Sequence, residues 1–226
     1  MPALTADAVA GLVTCHREPP ARGLLAALSE RLPTVLVVDD GMPANAAAEL
    51  DRHAAECGVE VLHRDRRRGK GHAIAAGVRA VRAGRTALAG VLVVDGDGQH
   101  PPDAIPAFLA ASGWADLVIG NRFGGGPGMP PVRRLANRTA SRALALATGS
   151  AVPDSQCGMR LMCRRALDEV PFPGGGMEAE TVHLKRCLLA GVPVAWVDIP
   201  PLYEGAHSSF RPARDGLAVM RAALAR

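Results

Sequence analysis

The chain has 226 residues, 48% hydrophobic and 21% charged, which is enough apolar material for one ordinary globular domain with a single core. A net charge of +4 and an isoelectric point near 9.1 favour anionic ligands or an anionic surface without demanding nucleic acid. Five scattered cysteines without a CxxC pair argue against a disulfide framework and a zinc site, no run reaches the roughly 18 to 20 apolar residues of a membrane span, and no secretory leader is legible; these point to a soluble, cytoplasmic protein that could still sit on a membrane surface.

In chain order, short and often β-branched runs at 9–15 (VAGLVTC), 34–38 (TVLVV), 59–62 (VEVL), 91–94 (VLVV) and 116–119 (DLVI) predict buried parallel strands. Ala- and Leu-rich stretches at about 20–31, 44–57, 72–83 and 103–112 carry helical spacing between them. This alternation predicts an α/β fold with helices on both faces of a mostly parallel sheet. After residue 122 the texture changes. A glycine- and proline-rich stretch (123–131, FGGGPGMPP) leads into a predicted helix at about 132–148, the segment DSQCGMRLMC (154–163), a second glycine-rich loop (171–180, PFPGGGMEAE), a helix to about 190, a strand at 192–199 and a terminal helix from about 213. With no repeat and no second core, residues 1–226 are expected to form one domain.

Ligands in such sheets sit beyond the carboxyl ends of the strands, and the polar residues gather there: His16-Arg17-Glu18, Asp39-Asp40-Gly41, Arg64 to Lys70, Asp95 to His100 and Asn121-Arg122. In VLVVDGDGQHPPD (91–103), Asp95, Asp97 and Gln99 share one side if the extended backbone continues. Three such oxygen donors suit Mg2+ or Mn2+. A solvated turn is the plain alternative, whereas an EF-hand fails because His100 and Pro106 stand where glycine and glutamate are needed.

Asp39 and Asp40 repeat the device, and an aspartate on a nucleotide-binding rim can accept hydrogen bonds from a base or ribose. Lys70 opens a helix between two glycines, where free N–H groups favour phosphate, although the pattern is neither a P-loop nor a dinucleotide fingerprint. Seven aromatic residues leave little for base stacking, so the arginines of 64–68 do not argue for nucleic acid. On the helix at 132–148, Arg134, Arg138 and Arg142 form a stripe with Arg133 alongside, either a solvated face or one that meets anionic lipid.

Taken in order, VTCHREP (13–19), VVDDG (37–41), GKGHAIAAG (69–77), VVDGDGQH (93–100), IGNRF (119–123), DSQCGMRLM (154–162), MEAE (177–180) and SSFRPARD (208–215) resemble the family 2 glycosyltransferases of GT-A fold. The likeness is closest to the dolichol- and polyprenyl-phosphate mannose or glucose synthase branch. It implies an inverting, metal-dependent hexose transfer from a nucleotide sugar of GDP-mannose or UDP-glucose type to an acceptor, a polyprenyl phosphate before a hydroxyl of a small molecule or glycan. It further implies a nucleotide-sugar half at about 1–122 and an acceptor half at about 123–226. By matching positions, Glu18 and Asp39 contact the nucleoside with Asp40 and Lys70 close by, and Asp95, Asp97 and Gln99 hold Mg2+ or Mn2+ on the diphosphate. Arg122, Arg133 and Asn137 match acceptor-phosphate positions, and Asp154, Gln156 and Arg160 match the acceptor-side motif.

A phosphate acceptor is already ionised and needs positive charge, as from Arg122 and Arg133. A hydroxyl acceptor needs a carboxylate base, for which Asp154, Glu178 and Glu180 are the candidates. Two departures bear on the acceptor: the late loop reads LYEGAHSSFRP (202–212), with Ser208-Ser209 and only the later Arg211, and the C-terminal membrane helices of some members are missing. A sugar-phosphate nucleotidyltransferase would want a GxGxR loop that Val13 to Pro20 lacks, and a non-catalytic nucleotide-sugar-binding module would not need the acidic trio. The role of His100 stays open between the metal's surroundings, the acceptor and simple packing.

Overall fold

A computed structural model describes residues 2–84, 88–126, 128–202 and 212–224, with side chains left out for 212–215. The late acceptor loop with Ser208, Ser209 and Arg211 lies outside the described residues. Each apolar run becomes a strand: β1 Val9–Cys15, β2 Thr34–Asp39, β3 Glu60–His63, β4 Gly90–Asp95, β5 Leu117–Asn121 and β7 Val194–Asp198. Strands β1 and β2 are buried almost without interruption because helices cover both of their faces, which is why they read as continuous apolar runs. β3 is exposed at both ends and half-exposed between them, and occupies one edge of the sheet.

With β6, Arg160–Cys163, the seven strands run in the order β3-β2-β1-β4-β6-β5-β7. All pairings are parallel except those of β6, which is antiparallel to both β4 and β5. The sequence reading had no strand there. The segment has four residues and begins with arginine, and only its insertion between two apolar strands makes it a strand. Parallel register sets Cys15 beside Asp39, Asp39 beside His63 and Thr14 beside Asp95, so the strand ends line up on one rim. Because β6 runs the other way, its beginning lies at that rim, with Arg160 beside Val93 and Ile119.

The expected helices appear as α1 Arg22–Ser29, α2 Ala44–Cys57, α3 Lys70–Gly84, α4 Ile105–Ala111, α5 Pro131–Thr148, α7 Ala179–Leu189 and α8 Pro212–Leu224, with a short unforeseen α6 Arg164–Glu169 directly after β6. α3 lies across β1 and β2, while α5, α7 and α8 pack on one another. One cluster of buried side chains, including Leu12, Leu28, Ile74, Leu92, Phe108, Ile119, Leu144, Leu161 and Leu184, runs under the whole sheet. Each such side chain contributes roughly 1.5–3 kcal/mol by leaving water. Among the described residues, no helix is long and apolar enough to cross a membrane.

Candidate active site

The rim is built from the ends of β1, β2, β3 and β4, the start of α3, and the segment 154–160 that enters β6. β4 stops at Asp95, and a turn through 96–98 follows. The alternation that would align Asp95, Asp97 and Gln99 therefore does not continue past Asp95. Gln99 is turned inward and nearly buried, and its Nε2 has no hydrogen-bond partner among the described residues. Asp97 is exposed at the rim, its Oδ1 accepting the Gln99 N–H at 3.1 Å.

Asp95 faces Lys70, whose Nζ is 2.6 Å from Asp95 Oδ1 and 2.9 Å from Glu180 Oε2. Burial works against ionisation of Asp95, but the Lys70 ammonium, aided by His100 and Arg122, holds its carboxyl down to about 2. Burial likewise works against the Lys70 charge, and Asp95 and Glu180 outweigh it, keeping the ammonium above the ordinary lysine range. The protein crowded around Asp97 and the neighbouring Asp95 charge push its carboxyl up to about 6. The site thus holds one firmly ionised carboxylate beside one that holds its proton more tightly than an ordinary aspartate.

The Asp95 carboxylate fits against a gap: a Cβ on Gly158 would lie 2.4 Å from Asp95 Oδ2. His100 is fully enclosed, and its Nδ1 accepts the Asp95 backbone N–H at 3.1 Å. Burial pulls its imidazole down to about 4 against the attraction of Asp95. A neutral ring with Nδ1 as acceptor carries its proton on Nε2, which lies 3.9 Å from Asp95 Oδ2 and 4.0 Å from Cys157 Sγ. His100 therefore supports the strand end from inside and faces no acceptor.

The phosphate cradle expected at the start of α3 is closed. The N–H groups of Gly71 and His72 donate to the carbonyls of Gly176 and Gly175, each at 3.1 Å. A Cβ on Gly71 would be 2.2 Å from that of Ala179, so only glycine lets this loop lie on the helix end. Glu178 Oε1 accepts the Gly176 N–H and holds the same loop. Positive charge reaches the rim through the Lys70 side chain instead.

Asp39 and Asp40 are both nearly buried. Asp39 accepts the Met42 N–H at 2.7 Å and lies 2.9 Å from His63 Nδ1. Asp40 pairs with Arg64 and accepts the N–H groups of Arg68 and Gly69, organising the basic loop before α3. Glu18 is exposed at the end of β1. Sequence reading missed His63, one residue beyond the predicted strand, and its only signal was its place among the strand ends.

On the other side, Arg122 forks onto Asp154 through Nε (2.8 Å) and Nη2 (2.9 Å), and its own N–H also donates to Asp154 Oδ2. Asp154 is fully buried and also accepts the Gln156 N–H, so it presents no face to a hydroxyl acceptor. The Arg122 guanidinium is correspondingly enclosed rather than aimed at solvent. Arg160 is fully buried too, donating to the carbonyls of Cys157 and Glu180 and lying 3.5 Å from Glu180 Oε1. That leaves Glu180 held between Lys70 and Arg160, and Glu178 the only half-exposed carboxylate of the three base candidates. Arg133 and Asn137 lie half-exposed on α5, Arg133 near enough to Asp97 to lower its pKa.

Asp95 and Asp97 are hard oxygen donors at a strand end, Asp97 exposed and Asp95 held ionised by Lys70, and they fit a small divalent ion shared with a diphosphate. Among the described residues no group of three or more His, Cys, Asp or Glu side chains converges as a closed metal cage.

The pattern described as Glycosyl transferase family 2 matches residues 11–171. The chain belongs to that family. An undecaprenyl-phosphate mannosyltransferase of Micrococcus luteus is 37% identical over 129 residues, covering 56% of this chain and 49% of the relative. Glycosyltransferase AglJ of Haloferax volcanii is 30% identical over 192 residues, 83% of this chain and 60% of the relative. A dolichol-phosphate mannosyltransferase of Mycosarcoma maydis is 30% identical over 49% of this chain and 38% of its own length. The matches thus span about two-fifths to three-fifths of these relatives.

Among solved structures, glucosyl-3-phosphoglycerate synthase of Mycobacterium tuberculosis, in complex with Mn2+, UDP and glucosyl-3-phosphoglycerate, superposes with a TM-score of 0.67 at 19% identity, over 94% of this chain and 76% of that one. Mannosyl-3-phosphoglycerate synthase of Rubrobacter xylanophilus superposes at 0.69 and 23% identity, over 95% and 72%. The family fold is accordingly GT-A, as the motifs implied.

Proposed function

We propose that this family 2 glycosyltransferase moves a hexose with inversion from a nucleotide diphosphate sugar to a polyprenyl phosphate. The observation that carries the proposal is the pair Asp95 and Asp97 at the end of β4, with Lys70 2.6 Å from Asp95, in a chain whose relatives are named for undecaprenyl- and dolichol-phosphate mannosyl transfer. Asp95 and Asp97 would hold Mg2+ or Mn2+, which supplies Lewis-acid stabilisation of the charge that grows on the departing diphosphate. Lys70 adds a fixed cation beside them and keeps Asp95 ionised. Glu18 and Asp39 meet the nucleoside, and Asp40 holds the basic loop that borders it.

A phosphate acceptor arrives ionised and needs no base. It needs cations in the correct place, and Arg133, near Asp97, supplies one with Asn137 beside it one turn along α5. Arg122 acts through Asp154, fixing the segment 154–158 that bounds Asp95. On this reading residues 1–122 form the donor half and 123–226 the acceptor half of one domain, and the exposed face of α5 rests on a membrane surface. A hydroxyl acceptor is the second reading, with Glu178 as its base, because Glu178 alone among the three candidates is half-exposed.

The deciding experiment offers radiolabelled GDP-mannose, UDP-glucose and UDP-N-acetylglucosamine with undecaprenyl phosphate, dolichyl phosphate or soluble hydroxyl acceptors, with Mg2+ or Mn2+ and with EDTA. Metal-dependent label in the organic phase is expected for one donor. Transfer only to a water-soluble acceptor would replace the lipid reading with the hydroxyl one, and full activity in EDTA would remove the metal from it.

A further inference from the structure

His63 ends β3 next to Asp39 in the sheet, and its ring lies between two carboxylates. Nδ1 is 2.9 Å from Asp39 Oδ2, and Nε2 is 2.9 Å from Asp51 Oδ1 of α2. An ionised carboxylate only accepts hydrogen bonds, so both contacts are satisfied together only when both ring nitrogens carry protons. A neutral imidazole would donate to one carboxylate and turn a lone pair on the other. The hydrogen bond that His63 donates to Asp39 foremost, opposed by partial burial and reinforced by Asp51, raises the pKa of His63 above its ordinary value.

The charges facing this ring are Asp39 from β2 and Asp51 from α2. Arg64, next in the chain, is taken by Asp40, while Asp65, Arg66 and Arg68 line with His63 and Arg64 an open groove of about 570 Å³. Asp39 itself is only 3% exposed and its other oxygen is bound by the Met42 N–H, so a ligand can meet it only along a narrow edge. Whether that edge is presented depends on how the carboxylate is turned.

We infer that His63 is a positioning residue for the nucleotide: as an imidazolium tied to Asp51, it clamps the Asp39 carboxylate in the orientation that receives the nucleobase, and its deprotonation releases the clamp. The inference rests on the proposed contact between Asp39 and the nucleoside. It assigns to the pair His63 and Asp51 a role in donor affinity that involves neither the metal carboxylates nor the acceptor. Nucleotide affinity should then fall as pH rises through the His63 titration.

The test is calorimetric binding of GDP and of UDP, from about pH 6 to about pH 9, by the wild type and by Asp39→Asn, His63→Leu, His63→Asn and Asp51→Asn. Ratios of wild type to variant at each pH cancel the nucleotide's own ionisation. His63→Leu should bind about 10-fold more weakly at the acid end and converge on the wild type at the alkaline end, as expected for loss of one hydrogen bond to a charged group. His63→Asn keeps a neutral donor near the Nδ1 position and should hold most of the affinity without the pH dependence, and Asp51→Asn should move the wild-type transition to lower pH. If Asp39→Asn weakens binding while His63→Leu follows the wild type throughout, His63 has no such role although the Asp39 contact stands. If Asp39→Asn binds normally, both fall. Should His63→Leu fail to fold, Asp51→Asn, at an exposed position, decides alone, an unmoved transition overturning the inference.

Discussion

Gly158 has no room for a side chain, because a Cβ there would lie 2.4 Å from a carboxylate oxygen of Asp95. Either the Asp95 carboxylate or the entry to β6 must move to admit one. Gly158→Ala should therefore cost about 1–3 kcal/mol in urea unfolding, the usual range for overpacking, and should reduce donor turnover by more than that loss of folded protein explains. Turnover measured well below the unfolding midpoint separates the two effects, and wild-type turnover would mean that Asp95 has freedom the geometry denies it.

His183 offers a second test at the same scale, away from the rim. Its ring is fully buried, Nε2 lies 3.1 Å from the Val170 carbonyl, and the Phe172 ring packs against it, tilted, with centroids 4.9 Å apart. Burial, with help from Arg160, lowers its pKa from 6.5 to about 4. The folded state thus keeps a neutral ring where the unfolded chain would take up a proton. This contribution is complete above about pH 6.5 and is lost as pH falls from there to about 4, a total of about 3 kcal/mol. His183→Gln, which retains a donor and cannot titrate there, should show a shallower fall of urea stability across that window. Parallel pH profiles for the two proteins would deny the burial effect.

Among the elements, β6 carries the bulkiest fully buried side chain of the described residues, and it is a charged one. Arg160 is wholly enclosed, with two carbonyls and Glu180 around it. Arg160→Ala would leave Glu180 buried with Lys70 as its remaining cation, and should destabilise the fold by about 3–5 kcal/mol, measured by denaturant unfolding. This strand also shows where sequence reading stops. β1, β2 and β4 were legible because both their faces are covered, so burial writes itself into unbroken apolar runs. β6 was not, since four residues starting with arginine owe their conformation to neighbours on either side. The same limit applies at the site: Asp95 and Asp97 were visible as a motif, but the turn after Asp95 and the inward Gln99 were not. The free N–H groups expected at Lys70 were likewise cancelled by Gly175 and Gly176, about a hundred residues away in the chain. Local spacing specifies which groups reach a rim, and distant contacts decide which of them remain open.

At the scale of the whole molecule, α5 has a face that nothing in the described chain covers. Val132, Leu135, Thr139, Arg142 and Leu146 are spaced by three and four residues, so they share one side, and all are exposed, Val132 to 81%, Leu135 to 69% and Leu146 to 86%. Arg138 flanks them with its guanidinium over Phe123, and the helix contains four arginines and no acid. Large apolar side chains interleaved with arginine suit the interface of an anionic bilayer, where leucine enters the acyl boundary and each arginine near the surface adds about 1 kcal/mol. The wild type should therefore co-sediment with phosphatidylglycerol vesicles more strongly than with phosphatidylcholine vesicles, and added salt should weaken the difference. Arg142→Gln should lower the affinity for anionic vesicles about five-fold, and Leu135→Ser should lower it for both compositions. Equal binding to the two vesicle types would leave the arginines no part in it, and binding to neither would remove the membrane from this face and leave a lipid acceptor to be delivered by some other surface.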